Sequence, residues 1–190
     1  MDDDNTRPHF FDIITGGPGE GKTALLLHLS RLYAEAGWNV VYLSLADDRV
    51  PNDANVDKKH KIYEAEDFND ALEEAKRHPD SLMAIDEFGN FAPAGMKIDD
   101  RIVALARMRR HLRISLLVVS QDPWDLSVTV RKLYNRIYFF RLSTEGQQWL
   151  HREGVPEEYL EPEENHYNVF DKSRQTVEEK PFIIDEGDWL

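Results

Sequence analysis

One octapeptide, Gly16-Gly17-Pro18-Gly19-Glu20-Gly21-Lys22-Thr23, limits what this 190-residue chain can fold into more than any other stretch. It fits G-x-x-x-x-G-K-[ST] at every constrained position. The six residues before it, Phe10 to Thr15, read as a short buried strand, and Thr23 to Leu29 read as the first turns of a helix. A strand, a glycine loop and a helix in that order present backbone N–H groups, backed by the helix dipole, to a phosphate chain. Glycine is needed where the loop wraps an anion in conformations that a side chain blocks. A glycine-rich turn before an ordinary core helix is the plainer reading, and the flanking strand and helix disfavour it. The expected contacts with a nucleoside triphosphate run through Gly16, Gly17, Pro18, Gly19, Glu20, Gly21, Lys22, Thr23 and Ala24. Lys22 is expected to reach the β- and γ-phosphates, and the Thr23 hydroxyl to ligate Mg²⁺.

The rest of the chain alternates strands and helices around this loop. The first helix is expected over about 22–36, with Gly37 placed to end it, and a second strand over Trp38 to Leu45. Asp47 to Lys61 is a polar loop, Ile62-Tyr63 a brief edge strand, and Glu66 to Arg77 an amphipathic helix stopped by Pro79. A third strand, Ser81 to Asp86, leads into a loop over Phe88 to Ile98. A helix from Asp99-Asp100 to about His111 and a central strand from Ile114 to Ser120 follow. Then come a short helix from Asp125 to Tyr134, a fifth strand from Arg136 to Leu142 and a helix from Thr144 to Arg152. The tail is expected to form a hairpin from Tyr167–Phe170 and Pro181–Ile184. Nearly unbroken apolar strands suit a parallel sheet covered on both faces. The expected architecture is α/β, a three-layer αβα sandwich with a mainly parallel central sheet, in one domain spanning 1–190. Its core covers about 10–143, and a helix and hairpin extension about 144–190.

Ligands of such sheets sit at the C-terminal ends of the strands. There the sequence places two further polar groups. Leu82-Met83-Ala84-Ile85 ends in Asp86-Glu87. Asp86 is expected to share the Mg²⁺ with Thr23, and Glu87 to polarise a water in line with the γ-phosphate. Transfer to a hydroxyl acceptor does not need that second acid, so the pair favours hydrolysis. Leu116 to Ser120 ends in Gln121, whose amide is suited to bond both γ-phosphate and attacking water.

The chain has no cysteine, which excludes disulfides and thiolate metal sites. Its acidic start, Met1-Asp2-Asp3-Asp4, is unlike a signal peptide, and no apolar run is long enough to span a bilayer. A chain that is not secreted is expected. The formal net charge is −13, unevenly spread: residues 101–141 hold nine Lys or Arg against Asp122 and Asp125, a net +7, which leaves −20 for the rest. The acidic body fits plain solubility or a salt-rich cell interior. The basic segment is suited to meet phosphates without reading bases. The histidines show no metal-ligand spacing.

The loop, the Asp-Glu strand end and the Ser-Gln strand end resemble the additional-strand, catalytic-glutamate division of the P-loop NTPases, whose core is RecA-like. The run Arg109-Arg110-His111-Leu112-Arg113-Ile114-Ser115 leading into Val118-Val119-Ser120-Gln121 resembles the FtsK–HerA superfamily. In size the chain is similar to the genome-packaging ATPases of membrane-containing icosahedral viruses. The resemblance covers residue 10 to about 143. It implies ATP and Mg²⁺ as ligands and a homo-oligomeric ring in which an arginine of one subunit completes the next subunit's site. Arg107, Arg109, Arg110, Arg113, Arg131 and Arg136 are the candidates for that arginine, with Arg110 and Arg113 preferred. It also implies double-stranded DNA as the polymer moved through the segment 101–141, a capsid vertex or viral membrane protein as partner, and a place in the host cytoplasm or the virion. Two other readings stay open: a zonula-occludens-toxin-like assembly or export ATPase of filamentous phages, and a small-molecule P-loop kinase.

Overall fold

The computed structural model describes residues 8–44, 62–90, 95 and 100–182. Among them the strands are β1 (Phe11–Thr15), β2 (Asn39–Leu43), β3 (Ile62–Glu64), β4 (Ser81–Ile85), β5 (Ile114–Ser120), β6 (Arg136–Phe139), β7 (His166–Asp171) and β8 (Thr176–Pro181). The helices are α1 (Lys22–Glu35), α2 (Phe68–Arg77), α3 (Asp100–Leu112), α4 (Val128–Arg131) and α5 (Thr144–Glu153). All eight strands join one sheet in the order β3-β2-β4-β5-β1-β6-β7-β8. From β3 to β6 every pairing is parallel, β7 adds antiparallel to β6, and β8 antiparallel to β7. The α/β sandwich with a mainly parallel sheet is therefore present.

Alternation along the strands sorts the core into two layers. Ile13, Val41, Met83, Ile85, Leu116, Val118 and Phe139 face α2, α3 and α5. Ile14, Val40, Tyr42, Leu82, Leu117, Val119 and Tyr138 face the leucines of α1. With both faces covered, β4 and β5 are buried at every residue, and this is why their sequences are apolar apart from the small serines Ser81, Ser115 and Ser120. Each such side chain contributes about 1.5–3 kcal/mol by leaving water. β1 lies between β5 and β6 in register, with Thr15 beside Ser120 and Phe139. The strand ends that carry polar groups consequently fall side by side.

Local chemistry sets the boundaries. Helix α2 starts at Phe68 because the Asp67 carboxylate accepts from the Asn69 and Asp70 N–H groups at 2.7 and 2.9 Å. The helix expected over 125–134 divides into a 3-10 turn, Pro123–Asp125, and the single turn α4. The division arises because Asp122 caps the first piece and Ser127 the second. The tail hairpin exists, and among the described residues its second strand is Thr176–Pro181, beginning earlier than the expected 181–184, of which Ile183 and Ile184 lie outside the described residues. The Asp171 carboxylate gathers the Ser173 and Arg174 N–H groups and closes the turn early, and the returning strand is polar and exposed. Phe88–Asn90 forms a 3-10 turn. The expected polar loop over 47–61, with Lys97 and Asp99, lies outside the described residues.

Candidate nucleotide-binding site

The glycine loop leaves β1 between two neighbours that hold it. Gly16 N–H donates to the Gln121 carbonyl at 3.2 Å, and the Thr15 hydroxyl donates to the same oxygen at 3.3 Å. Gly17 N–H donates to the Arg141 carbonyl at 2.8 Å. The loop is thus tied to the ends of β5 and β6. Gly19 (φ +79°) and Gly21 (φ +90°) adopt the left-handed region, which an L side chain resists. Gly21 is the N-cap of α1, and no side chain caps that helix. Uncapped first-turn amides and the positive end of the helix dipole converge on the loop, the arrangement an anion requires.

Lys22 Nζ donates to the Gly17 carbonyl at 2.6 Å. Burial lowers the Lys22 pKa, and Asp86 and Glu20 pull it back up. The Thr23 hydroxyl donates to Asp86 Oδ2 at 2.8 Å, joining the loop to the end of β4. Asp86 is 5% exposed, and its Oδ1 accepts the Glu87 N–H at 2.9 Å. A hydroxyl and one carboxylate form an oxygen donor set suited to Mg²⁺, which keeps few protein ligands and completes its shell with waters and phosphate oxygens. Asp86 and Thr23 therefore fit that ion.

Glu87 turns outward through a left-handed backbone (φ +51°), and its Oε2 accepts from the Asn90 side-chain amide at 3.3 Å. It shares an open cleft of about 400 Å³ with Gln121, Ser120, Asn90, Trp124 and Asp125. Sequence reasoning missed Asn90, although its place three residues after Glu87 in a helical turn was a usable signal. It also missed Asp12, which is fully buried at the start of β1, the end away from the loop, and takes the Arg136 guanidinium at 2.6 Å. Burial pushes the Asp12 carboxyl up to about 6, against the pull of Arg136.

The arginines divide by their surroundings. Arg131 is buried with its guanidinium 4.3 Å from the Trp124 ring centre, and Arg109 bonds the Ala106 carbonyl and Asn135. Arg113 grips Asp80 with two hydrogen bonds, and Arg110 has no side-chain partner among the described residues. Both lie where α3 turns into the start of β5, at the opposite edge of the sheet from the glycine loop. Trp149 is core. Separately, the tail brings the donor atoms of Glu163, His166 and Glu179 within 4.8 Å of one another, a trio that sequence spacing did not reveal.

Among solved structures, the genome-packaging NTPase of Sulfolobus turreted icosahedral virus 2 in complex with ATPγS superposes with a TM-score of 0.76. The match covers 93% of this chain and all of that one at 18% identity. The chain has the RecA-like P-loop NTPase fold. The same fold recurs in EssC (ATPases 2 and 3) from Geobacillus thermodenitrificans, with a TM-score of 0.70 at 11% identity over 93% of this chain and 40% of that one. The N-terminal domain of zonular occludens toxin from Neisseria meningitidis scores 0.53 at 18% identity, covering 95% and 96%. A curated relative, the replication factor C large subunit of Methanopyrus kandleri, is 29% identical over 140 residues, 68% of this chain. This P-loop chain spans about a quarter, 26%, of that relative's length. No family model matches the chain.

Proposed function

We propose that the chain is a Mg²⁺-dependent ATPase of the FtsK–HerA kind that works as a homo-oligomeric ring. Its hydrolysis drives double-stranded DNA, without sequence preference, into a preformed viral capsid, and the chain acts in the host cytoplasm or on the virion. The observation that carries this reading is the joining of three strand ends. The Thr23 hydroxyl meets Asp86 at 2.8 Å beneath the glycine loop, and Glu87 and Gln121 line one cleft beside it. Residues 16–24 cradle the phosphates, and the Lys22 ammonium moves from the Gly17 carbonyl to the β- and γ-oxygens. When bound, Mg²⁺ neutralises charge on those oxygens, held by Thr23 and Asp86. Glu87 accepts a proton from the attacking water as the new P–O bond forms, and the β,γ-bridging bond breaks to leave ADP and phosphate. Gln121 orients that water. Such a ring needs an arginine of one subunit at the next subunit's site, for which the resemblance offers Arg110 and Arg113 among its candidates, and an arginine finger raises the rate by roughly 10³–10⁵.

The packaging setting rests on the likeness in fold to the virus NTPase, matched over all of that chain and 93% of this one. A filamentous-phage-type assembly role draws on the weaker likeness to zonular occludens toxin. Among the described residues no helix is long and apolar enough to cross a membrane. The test is phosphate release with and without mixed-sequence duplex DNA, run beside size analysis with a non-hydrolysable nucleotide. DNA-stimulated release by a nucleotide-dependent ring is expected. Turnover indifferent to DNA, with flotation on vesicles, overturns DNA translocation in favour of the assembly role.

A further inference from the structure

The edge of the sheet opposite the nucleotide loop holds a second cleft of about 580 Å³. Four separate stretches build it: Pro8-His9-Phe10 ahead of β1, Arg110 and Arg113 at the turn into β5, Asn135 and Arg136 at the start of β6, and Asp171 with Ser173 and Arg174 at the β7–β8 turn. Topology explains the convergence. The parallel strands β1, β5 and β6 all begin at this edge, and β7 runs antiparallel, so that it ends here with Asp171 opposite Arg136. The cleft lies about 15–20 Å from the loop, the length of a five-residue strand.

Four guanidinium groups line this cleft, and their charge is only partly matched. Arg136 is paired to the buried Asp12 and Arg113 to Asp80. Asp171 is engaged by the amides of its own turn, and Arg174 approaches it only to 3.9 Å. Arg110 has no side-chain partner among the described residues. His9, whose side chain is 7% exposed, also lines the cleft; its Nε2 faces Asp80 at 3.3 Å and its Nδ1 has no partner among the described residues. In a chain whose remainder is strongly acidic, this is a built cavity with guanidinium groups in excess of carboxylates.

We propose that this basal cleft binds phosphate groups of the duplex DNA backbone, with Arg110 and Arg174 as the direct contacts and Arg113 and Arg136 held in place by Asp80 and Asp12. The proposal rests on the DNA-translocating reading and deepens it: the polymer meets the opposite edge of the sheet from the nucleotide, and Arg110 belongs to that contact and not to the neighbour's active site. Guanidinium groups suit phosphodiesters because the fork of donors matches two oxygens, and such contacts bind without reading sequence.

The test is the salt dependence of duplex binding by the full chain with a non-hydrolysable nucleotide present. Each phosphate contact contributes about 0.9 to the slope of log K against log salt. Arg110→Ala and Arg174→Ala are each expected to reduce that slope by about 1 and their double variant by about 2, while Arg77→Ala, whose side chain pairs with Glu74 and does not line the cleft, leaves it unchanged. Unaltered thermal midpoints show that the variants fold. Wild-type binding that the double variant retains in full overturns this proposal and leaves the translocase reading standing; no wild-type binding at all overturns both. Displacement of duplex by inorganic phosphate at matched ionic strength assigns the cleft to a free anion and refutes the DNA contact. A variant that changes turnover or ring size at unchanged DNA affinity and slope assigns Arg110 to a subunit contact, which also refutes it.

Discussion

Replacing Gly16 with alanine probes the joint between β1 and the nucleotide loop. The φ of Gly16 is not in the left-handed region, so the substitution is not opposed by backbone conformation. It is opposed by space: a Cβ there meets Phe140 Cβ at 2.7 Å and two ring atoms at 3.3 and 3.4 Å. The Phe140 Cβ cannot rotate away, because its position is set by the backbone, and Phe140 N–H is bonded to the Thr15 carbonyl at 2.9 Å. The ring is 3% exposed and packs on Tyr167 and Phe182 at 5.8 Å between centres. Relief therefore requires moving the loop or β6. Overpacking of this kind costs about 1–3 kcal/mol. At about 2–4 °C per kcal/mol for a chain this size, the thermal midpoint falls by roughly 2–12 °C. The displaced loop also weakens the Gly16–Gln121 bond, so ATP affinity falls with stability. Gly89→Ala is the matched control: its Cβ finds nothing nearer than 3.8 Å, and about wild-type stability is expected. Scanning calorimetry and nucleotide titration of both variants decide the matter. A Gly16→Ala protein that melts and binds ATP as the wild type does refutes this account of the joint.

Two further outcomes follow from the site and from the Asp12–Arg136 pair at the other end of β1. Thr23→Ala and Asp86→Asn are each expected to abolish the Mg²⁺-dependent part of ATP affinity, as a chelator does in the wild type; titration with and without Mg²⁺ checks this, and an intact metal increment in both variants contradicts the assigned ligands. Burial raises Asp12 from 3.8 to about 6, so the folded chain keeps a proton that the unfolded chain has released. That contribution is complete below the ordinary carboxylate value and is lost as pH rises through about 6. Stability of the wild type relative to Asp12→Asn should fall between pH 4 and 7, by up to about 3 kcal/mol. Denaturant titrations at both ends of that range measure it, and a difference that grows with pH shows that Arg136 outweighs burial.

What the sequence revealed and what it hid have physical causes. Apolar runs such as Leu116 to Val119 are legible because a parallel strand covered on both faces leaves no polar position, and Gly16 to Thr23 is legible because a phosphate loop tolerates few residues. Asp86 and Glu87 stand out as the first acids after four apolar residues. The Asp12–Arg136 pair spans 124 positions and forms only because β1 and β6 are neighbours, which nothing local announces. The split of the 125–134 helix turned on Asp122 and Ser127 acting as caps, an outcome that local propensity understates. The hairpin strand was displaced because Thr176 to Pro181 lacks an apolar face and is held by main-chain pairing to β7. The basal cleft was invisible for the same reason as the ion pair: four distant stretches contribute, and only the sheet order brings them together.

The central claim is that Glu87 primes water against a triphosphate held by the Gly16–Thr23 loop. Steady-state phosphate release and ATP binding by the wild type and Glu87→Gln, measured side by side with Mg²⁺ and duplex DNA, test it most directly. The account predicts that the variant binds ATP as tightly as the wild type and releases no phosphate above background. Turnover by Glu87→Gln at the wild-type rate, or a wild-type chain that does not retain ATP, contradicts it.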